Sequence, residues 1–291
     1  MVELVPNLLR QELEALASKN QRIDGRSQWE SRDITLETNC LYNAEGSAKV
    51  TWGDTVIYAG VKFEIRTPWP DRPTQGSLMC GAELRPVAGR KYEPGPPSPE
   101  SIELGRVVDR GIRESGCIDM DSLCIIPGEK VLGIMIDIHV LSDKGNIFDA
   151  CALGAIAALR TAIVPAERFD IGEDYPLAVS MTPTMCSFTR VGGRYVLDAN
   201  EEEELGGDER IHITLGDEGH LHSLQKGLKG TFTPAEFDEI LQVAQKRCAE
   251  LAELVNSKEE YTWQSEHRKL VQQAGLVQDM VSALEGMLAL P

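Results

Sequence analysis

Leucines at positions 9, 13 and 16 recur at helical spacing, and with Pro6 suited to a first turn they predict a helix over residues 4–19. After the turn-rich stretch QRIDGR, the pattern from Asp33 to Ile65 changes to strands: ITLET, GSAKVTW and TVIYAGVKFEI, the last two joined by a hairpin turn at Gly53-Asp54. RTPWPDRPTQ reads as a loop and GSLMCGAEL as another strand. Ser98 as N-cap, Pro99 in the first helical position and Glu100 at the positive end of the dipole open a helix running to about Ser115, with Gly116 as its stop. LCIIP and VLGIMIDIHVLS follow as strands, the second apolar enough to be central. DKGN then leads into the apolar helix IFDACALGAIAALRTAI.

The second half repeats this logic. LAVSMTPTMCSFTR and RYVLDAN flank a hairpin signal at Val191-Gly192-Gly193, and RIHITLG and HLHSLQKG are short alternating strands. Thr233-Pro234 opens a long helix from about Ala235 to Asn256, with Leu241, Ala244, Cys248, Leu251 and Val255 on one stripe. This order predicts an α+β fold of mixed sheets packed with helices. No long linker interrupts it, so one domain over 1–257 is expected. A helical extension follows over 258–291, where Leu270, Ala274, Val277, Met280, Val281 and Leu284 keep helical spacing.

Composition narrows the functional classes. No run of about 18 apolar residues exists, so no membrane span is expected. No secretory signal is visible, and a cytoplasmic location is expected. The seven cysteines include no Cys-x-x-Cys pair, which points to free thiols rather than a disulfide framework or zinc knuckle. Aromatics are only 5%, against a surface that binds strands mainly by stacking. The net charge of −17 repels polyanions, so any nucleic-acid contact must be local.

One local cation cluster stands out. Arg106, Arg110 and Arg113 fall within an arc of roughly 60° on the predicted 99–115 helix, opposite Leu104, Val107, Val108 and Ile112. Guanidinium forks suit phosphate, but Glu103, Asp109 and Glu114 could equally pair with them on a solvated face. Glu201 to Glu204 reads as a surface charge run. Asp208, just before a strand, is a candidate acid or metal ligand. His220 and His222 alternate along a strand without a further ligand at useful spacing, so no metal site is expected. No P-loop, dinucleotide fingerprint or Ser–His–Asp signature appears.

Arg22-Ile23-Asp24-Gly25-Arg26 and Ala44-Glu45-Gly46-Ser47-Ala48, leading into Val50-Thr51-Trp52-Gly53-Asp54-Thr55, together resemble the RNase PH family of phosphate-dependent 3′-to-5′ exoribonucleases. The resemblance covers about Arg22 to Asn256 and implies an RNase PH-like fold, of the ribosomal protein S5 domain 2-like kind. Within the family, Glu93 to Pro97 (EPGPP) followed by IELGRVVDRGIRES is similar to the non-catalytic ring subunit of the archaeal exosome. Active members usually carry an arginine pair near the end of the equivalent loop, where this chain has Ser98-Pro99-Glu100. They hold phosphate with a Gly-Gly-Ser/Thr-Arg turn at a helix start, aligned here with Ala152-Leu153-Gly154-Ala155. The family's catalytic aspartate falls where this chain has Arg210, with Asp208 nearby.

The resemblance implies no catalytic residue and no cofactor in this chain. It implies a ring of three heterodimers with a catalytic RNase PH-like partner, cap subunits with RNA-binding domains, and single-stranded RNA entering a central pore. Arg106 and Arg110 match positions that hold RNA phosphates beside the partner's active site; Arg113 joins them by geometry. The alternative is an active phosphate-dependent exoribonuclease that uses Asp208.

Overall fold

Strict alternation of apolar and polar positions builds the larger sheet of the computed structural model, in which residues 7–258 are described. After helix α1 (Asn7–Ser18), strands β1 (Ile34–Thr38), β2 (Gly46–Trp52) and β3 (Thr55–Arg66) form an antiparallel meander. Strand β4 (Ser77–Leu84) precedes helix α2 (Pro99–Ser115), and β5 (Cys124–Ile126) precedes the long β6 (Lys130–Ser142). β6 pairs antiparallel with β3 and parallel with β4, giving the order β1-β2-β3-β6-β4, with β5 also on β6. The expectation that VLGIMIDIHVLS is a central strand is met: β6 has neighbours on both sides. From Ile134 onward its buried positions alternate with more exposed ones, with Asp137 and His139 on the outer face.

Helix α3 (Ile147–Arg160) is followed by the two-residue strands β7 (Ile163–Val164) and β8 (Tyr175–Pro176). A second antiparallel sheet comes from β9 (Thr184–Val191), β10 (Arg194–Leu197), β11 (Glu209–Leu215) and β12 (Leu221–Leu228), ordered β10-β9-β11-β12. Helix α4 (Glu201–Gly206) lies between β10 and β11, and α5 (Pro234–Asn256) closes the described chain. The extension expected over 258–291 lies outside the described residues from 259 onward.

α3 touches β2 and β3 of the first sheet and β9 of the second, while α5 packs on β9 and β11. The layers therefore run sheet, helices, sheet, helix. Every residue of α3 except Arg160 is buried, which its run of alanines permits by keeping the helix thin. Contact is close enough to constrain its neighbours. A side chain at Gly46 on β2 would overlap the carbonyl of Ala158 and lie 2.7 Å from the Ala162 Cα.

Two expectations need correction. The QRIDGR stretch is an anchor rather than a simple link. Arg22, 7% exposed, donates from Nε and Nη2 to the Glu203 carboxylate at 2.8 and 2.6 Å, and to the carbonyls of Leu197 and Asp198. Glu201 to Glu204 is likewise not a surface run. It is α4, opened by a capping box between Asn200 and Glu203, and Glu203 is 1% exposed. A buried guanidinium requires a buried partner, and Glu203 supplies it. All seven cysteines are free, four of them buried and Cys40 exposed.

Because backbone atoms of α3 and of the turn after it face Gly46, nothing flexible can yield to a new methyl group. Gly46→Ala is expected to cost about 1–3 kcal/mol of stability, seen as a lower urea midpoint. A midpoint equal to the parent's would contradict this packing.

Candidate nucleic-acid interface

Helix α2 carries the arginines, and its placement is fixed locally. The Ser98 side chain accepts from the Ser101 amide at 3.2 Å, Pro99 takes the first position, and Gly116 closes the helix in the left-handed conformation at φ 67°. Gly105 comes close to β4, where a Cβ would lie 3.0 Å from the Cys80 carbonyl, and Gly111 comes equally close to Thr214 on β11. The helix thus bridges both sheets. Leu104, Val107, Val108 and Ile112 are buried as expected, and Arg106, Arg110 and Arg113 face outward.

The three arginines are not equivalent. Arg106 is exposed and makes no hydrogen bond or ion pair among the described residues. Arg110 Nη1 donates to Gln225 Oε1 on β12 at 3.0 Å, which steadies the side chain without neutralising it. Arg113 donates to Asp109 Oδ1 at 2.8 Å and to the Leu78 carbonyl at 2.9 Å. The pairing foreseen for a solvated face therefore holds for Arg113 alone. Among the described residues neither Arg106 nor Arg110 is paired with a carboxylate.

Ala152-Leu153-Gly154-Ala155, aligned above with a phosphate-binding turn, does not lie at a helix start. It forms the second turn of α3 and is buried, with Gly154 against Ile57. The chain entering α3 is occupied by the protein's own carboxylates. The Gly145 amide donates to Asp143 at 3.0 Å, the Asn146 amide to Glu204 at 2.8 Å, and Asn146 Nδ2 to Asp198 at 2.9 Å. Asp143 in turn takes Lys91 at 2.9 Å and the Tyr92 hydroxyl at 2.6 Å, and Asp198 takes both Arg26 and Arg32. A helix N-terminus attracts negative charge, and here negative charge is built in.

These acids titrate differently. Burial pushes Asp149 up to about 7, against the hydrogen bonds it accepts from Ser187 and Asn146. Burial also pushes Glu204 up to about 6, with Arg210 opposing. Burial acts on Asp198 in the same sense, but the hydrogen bonds and charge of Arg32 outweigh it and leave the group below its ordinary value. Asp143 is lowered in the same way: burial opposes, and the charge of Lys91 and the hydrogen bond from Tyr92 prevail.

Asp208 is exposed and paired with Arg10 of α1 at 3.1 Å. His220 precedes β12 and lies 3.5 Å from Glu218. No group of three possible metal ligands occurs among the described residues. A Ser–His–Asp trio that the sequence did not reveal does exist: Ser187 Oγ bonds Asp149 and approaches His212 Nδ1 at 2.6 Å. All three residues are at most 6% exposed, so the trio is a core bracket between α3, β9 and β11 rather than a reactive centre. Alternation along β11 was the signal that His212 shares a face with Arg210.

Residues 30–165 match the first domain of the 3′ exoribonuclease family (RNase PH), and residues 182–247 match its second. The exosome complex component Rrp42 of Methanosarcina acetivorans is 43% identical over 251 residues, covering 86% of this chain and 94% of the relative. A chain of the Archaeoglobus fulgidus exosome with RNA bound to the active site is similar at TM-score 0.83 and 44% identity, over 86% of this chain and 98% of that one. Rice Rrp46, at 16% identity and TM-score 0.63 over 82% of this chain and 100% of that one, shares the fold.

Asp149 carries a pH signature. Its folded value stands near 7 against an ordinary 3.8, so the folded chain keeps a proton that the unfolded chain releases. Stability from this group is complete below about pH 4 and is lost as pH rises toward 7. Asp149→Asn is expected to remove most of that decline when urea midpoints are compared at pH 4.5 and 7.5. Parallel profiles for parent and variant would contradict the assignment.

Proposed function

The chain belongs to the 3′ exoribonuclease family, and from that footing we propose that it is a non-catalytic ring subunit of an exosome-type RNA-degrading complex. In this reading the chain performs no phosphorolysis. It alternates with a catalytic RNase PH-like partner in a ring of three heterodimers that carries RNA-binding cap subunits. Arg106 and Arg110 hold phosphates of single-stranded RNA, and the partner supplies phosphate binding and acid catalysis. In this reading the complex works in the cytoplasm; among the described residues no helix is long and apolar enough to cross a membrane.

One observation carries the reading. The entry to α3 is filled by Asp143, Asp198 and Glu204, each accepting a hydrogen bond from Gly145 or Asn146. An attacking phosphate would have to displace carboxylates and meet their charge at close range, which disfavours its binding strongly in a partly buried place. Asp208, exposed on Arg10, has no bound anion to assist. Support for an RNA role comes from the other side of the ledger. In a chain of net charge −17, Arg106 is exposed without a counter-ion among the described residues, and among them Arg110 is held only by a neutral amide.

The positioning role assigns the arginines to orientation, since phosphate contacts fix register rather than sequence. Binding to the ring then falls with salt, and the isolated chain binds weakly because its overall field repels RNA.

Incubated alone with oligo(A) and phosphate, the chain is expected to release no nucleoside diphosphate. In a ring reconstituted with a catalytic partner, replacing Arg106 and Arg110 together by Glu is expected to lower RNA affinity by about 10- to 100-fold. Release of nucleoside diphosphate by the chain alone would overturn the non-catalytic reading. Unchanged RNA affinity in the doubly substituted ring would overturn the positioning role.

A further inference from the structure

We propose that Arg210 is a third phosphate-contacting residue of this face, a positioning residue for the same RNA strand that Arg106 and Arg110 engage; the inference rests on the proposed RNA role of those two.

The placement follows from strand register. On β11, Arg210 and His212 point to one face of the second sheet, and their partners on β12 are Gly227 and Gln225. That face looks toward the start of α3, where the His212 ring stacks on Phe148 at 4.1 Å and the Arg210 guanidinium lies 4.7 Å from the same Phe148 ring. Gln225 is the residue that receives Arg110. Arg110 and Arg210 thus converge on two positions of one strand, about 7 Å apart along it. On α2, Glu103, Arg106 and Arg110 are spaced i, i+3, i+7 and share a face, and Glu103 reaches Arg210 at 4.0 Å. Arg106, Arg110 and Arg210 therefore border one strip between α2 and β12, with Glu103 among them.

The environment of Arg210 makes it receptive to an anion. Its side chain is 22% exposed, and its buried Nε has no hydrogen-bond partner. The contact with Glu103 stands at the outer limit of an ion pair, and the charge also acts on buried Glu204, but among the described residues no carboxylate accepts a hydrogen bond from the guanidinium. Gly227 lies beneath it without a side chain; a Cβ there would come within 3.4 Å of Nε and 3.6 Å of Nη2.

The same geometry selects the ligand class. One face of the guanidinium is taken by the Phe148 ring, so stacking on a base is disfavoured and the donors at its edge are what remain. Edge donors in a fork match the paired oxygens of a phosphodiester. Partial desolvation strengthens such a contact relative to a fully solvated lysine or arginine. The strand is held by its backbone, so the contact is blind to base identity.

The test uses the ring reconstituted with a catalytic partner and carrying Arg210→Ala or Arg210→Lys. Affinity for fluorescent oligo(A) and oligo(U) is titrated across a range of KCl. Arg210→Ala is expected to weaken both oligonucleotides about 5- to 10-fold at low salt and to reduce the slope of log affinity against log salt by about 0.7. Arg210→Lys is expected to restore the slope and part of the affinity. Unchanged affinity and slope in Arg210→Ala, while the Arg106 and Arg110 substitutions still weaken binding, would overturn this contact and leave the proposed function standing. A lower thermal midpoint with an unchanged slope would also overturn it, by making Arg210 purely structural. If neither set of substitutions alters affinity, the RNA role fails and this inference fails with it.

Discussion

The close packing of α3 between two sheets governs what the rest of the chain can do. A helix with all but one residue buried relies on small and apolar side chains, which Ala150 to Leu159 supply, while its one buried acid, Asp149, is held by Ser187. The same packing denies its second turn any contact with solvent, so no small anion can be held at Ala152 to Ala155. The approach to the helix, at Gly145 and Asn146, is polar, and there carboxylates from α4 and from the residues just after β10 and β6 have taken the donors. The exposed arginines lie instead on the neighbouring α2. That helix is held against both sheets at Gly105 and Gly111, and so offers a rigid platform for its arginines.

Charge follows the same division. A strongly acidic chain keeps most of its arginines occupied internally: Arg22 with Glu203, Arg26 and Arg32 with Asp198. These pairs tie the residues before β1 to α4 and the start of α3, joining sequence positions far apart. Arg106 and Arg110, on the outer face of α2, stand outside these internal pairs. A scaffold of this kind does not attract RNA over its whole surface. In the proposed role it presents a few oriented cations beside a partner subunit, which suits register and orientation.

Much of this was legible in the sequence, and the gaps have physical causes. α2 was fully readable because its signals are local: Ser98-Pro99 opens it, Gly116 closes it, and Leu104, Val107, Val108 and Ile112 mark its inner face. α3 was readable as a helix, but its small residues look alike, so nothing in the pattern distinguished its first turn from its second. Glu201 to Glu204 looked solvated because the partner of Glu203 is Arg22, 181 residues earlier. The Asn200–Glu203 capping box was a local clue to the short helix, although not to its burial. Arg113 shared the arc of Arg106 and Arg110, yet Asp109 one turn away engages it. Periodicity gives a face; it does not say which cations on that face are already matched.

If carboxylates fill the approach to α3, the chain should have no affinity of its own for inorganic phosphate. Phosphorus NMR titration of the isolated chain is expected to show no saturable binding at millimolar phosphate, while the ring formed with a catalytic partner shows one site per heterodimer. Saturable binding to the isolated chain, lost on changing Asn146 or another residue at the start of α3, would contradict the account.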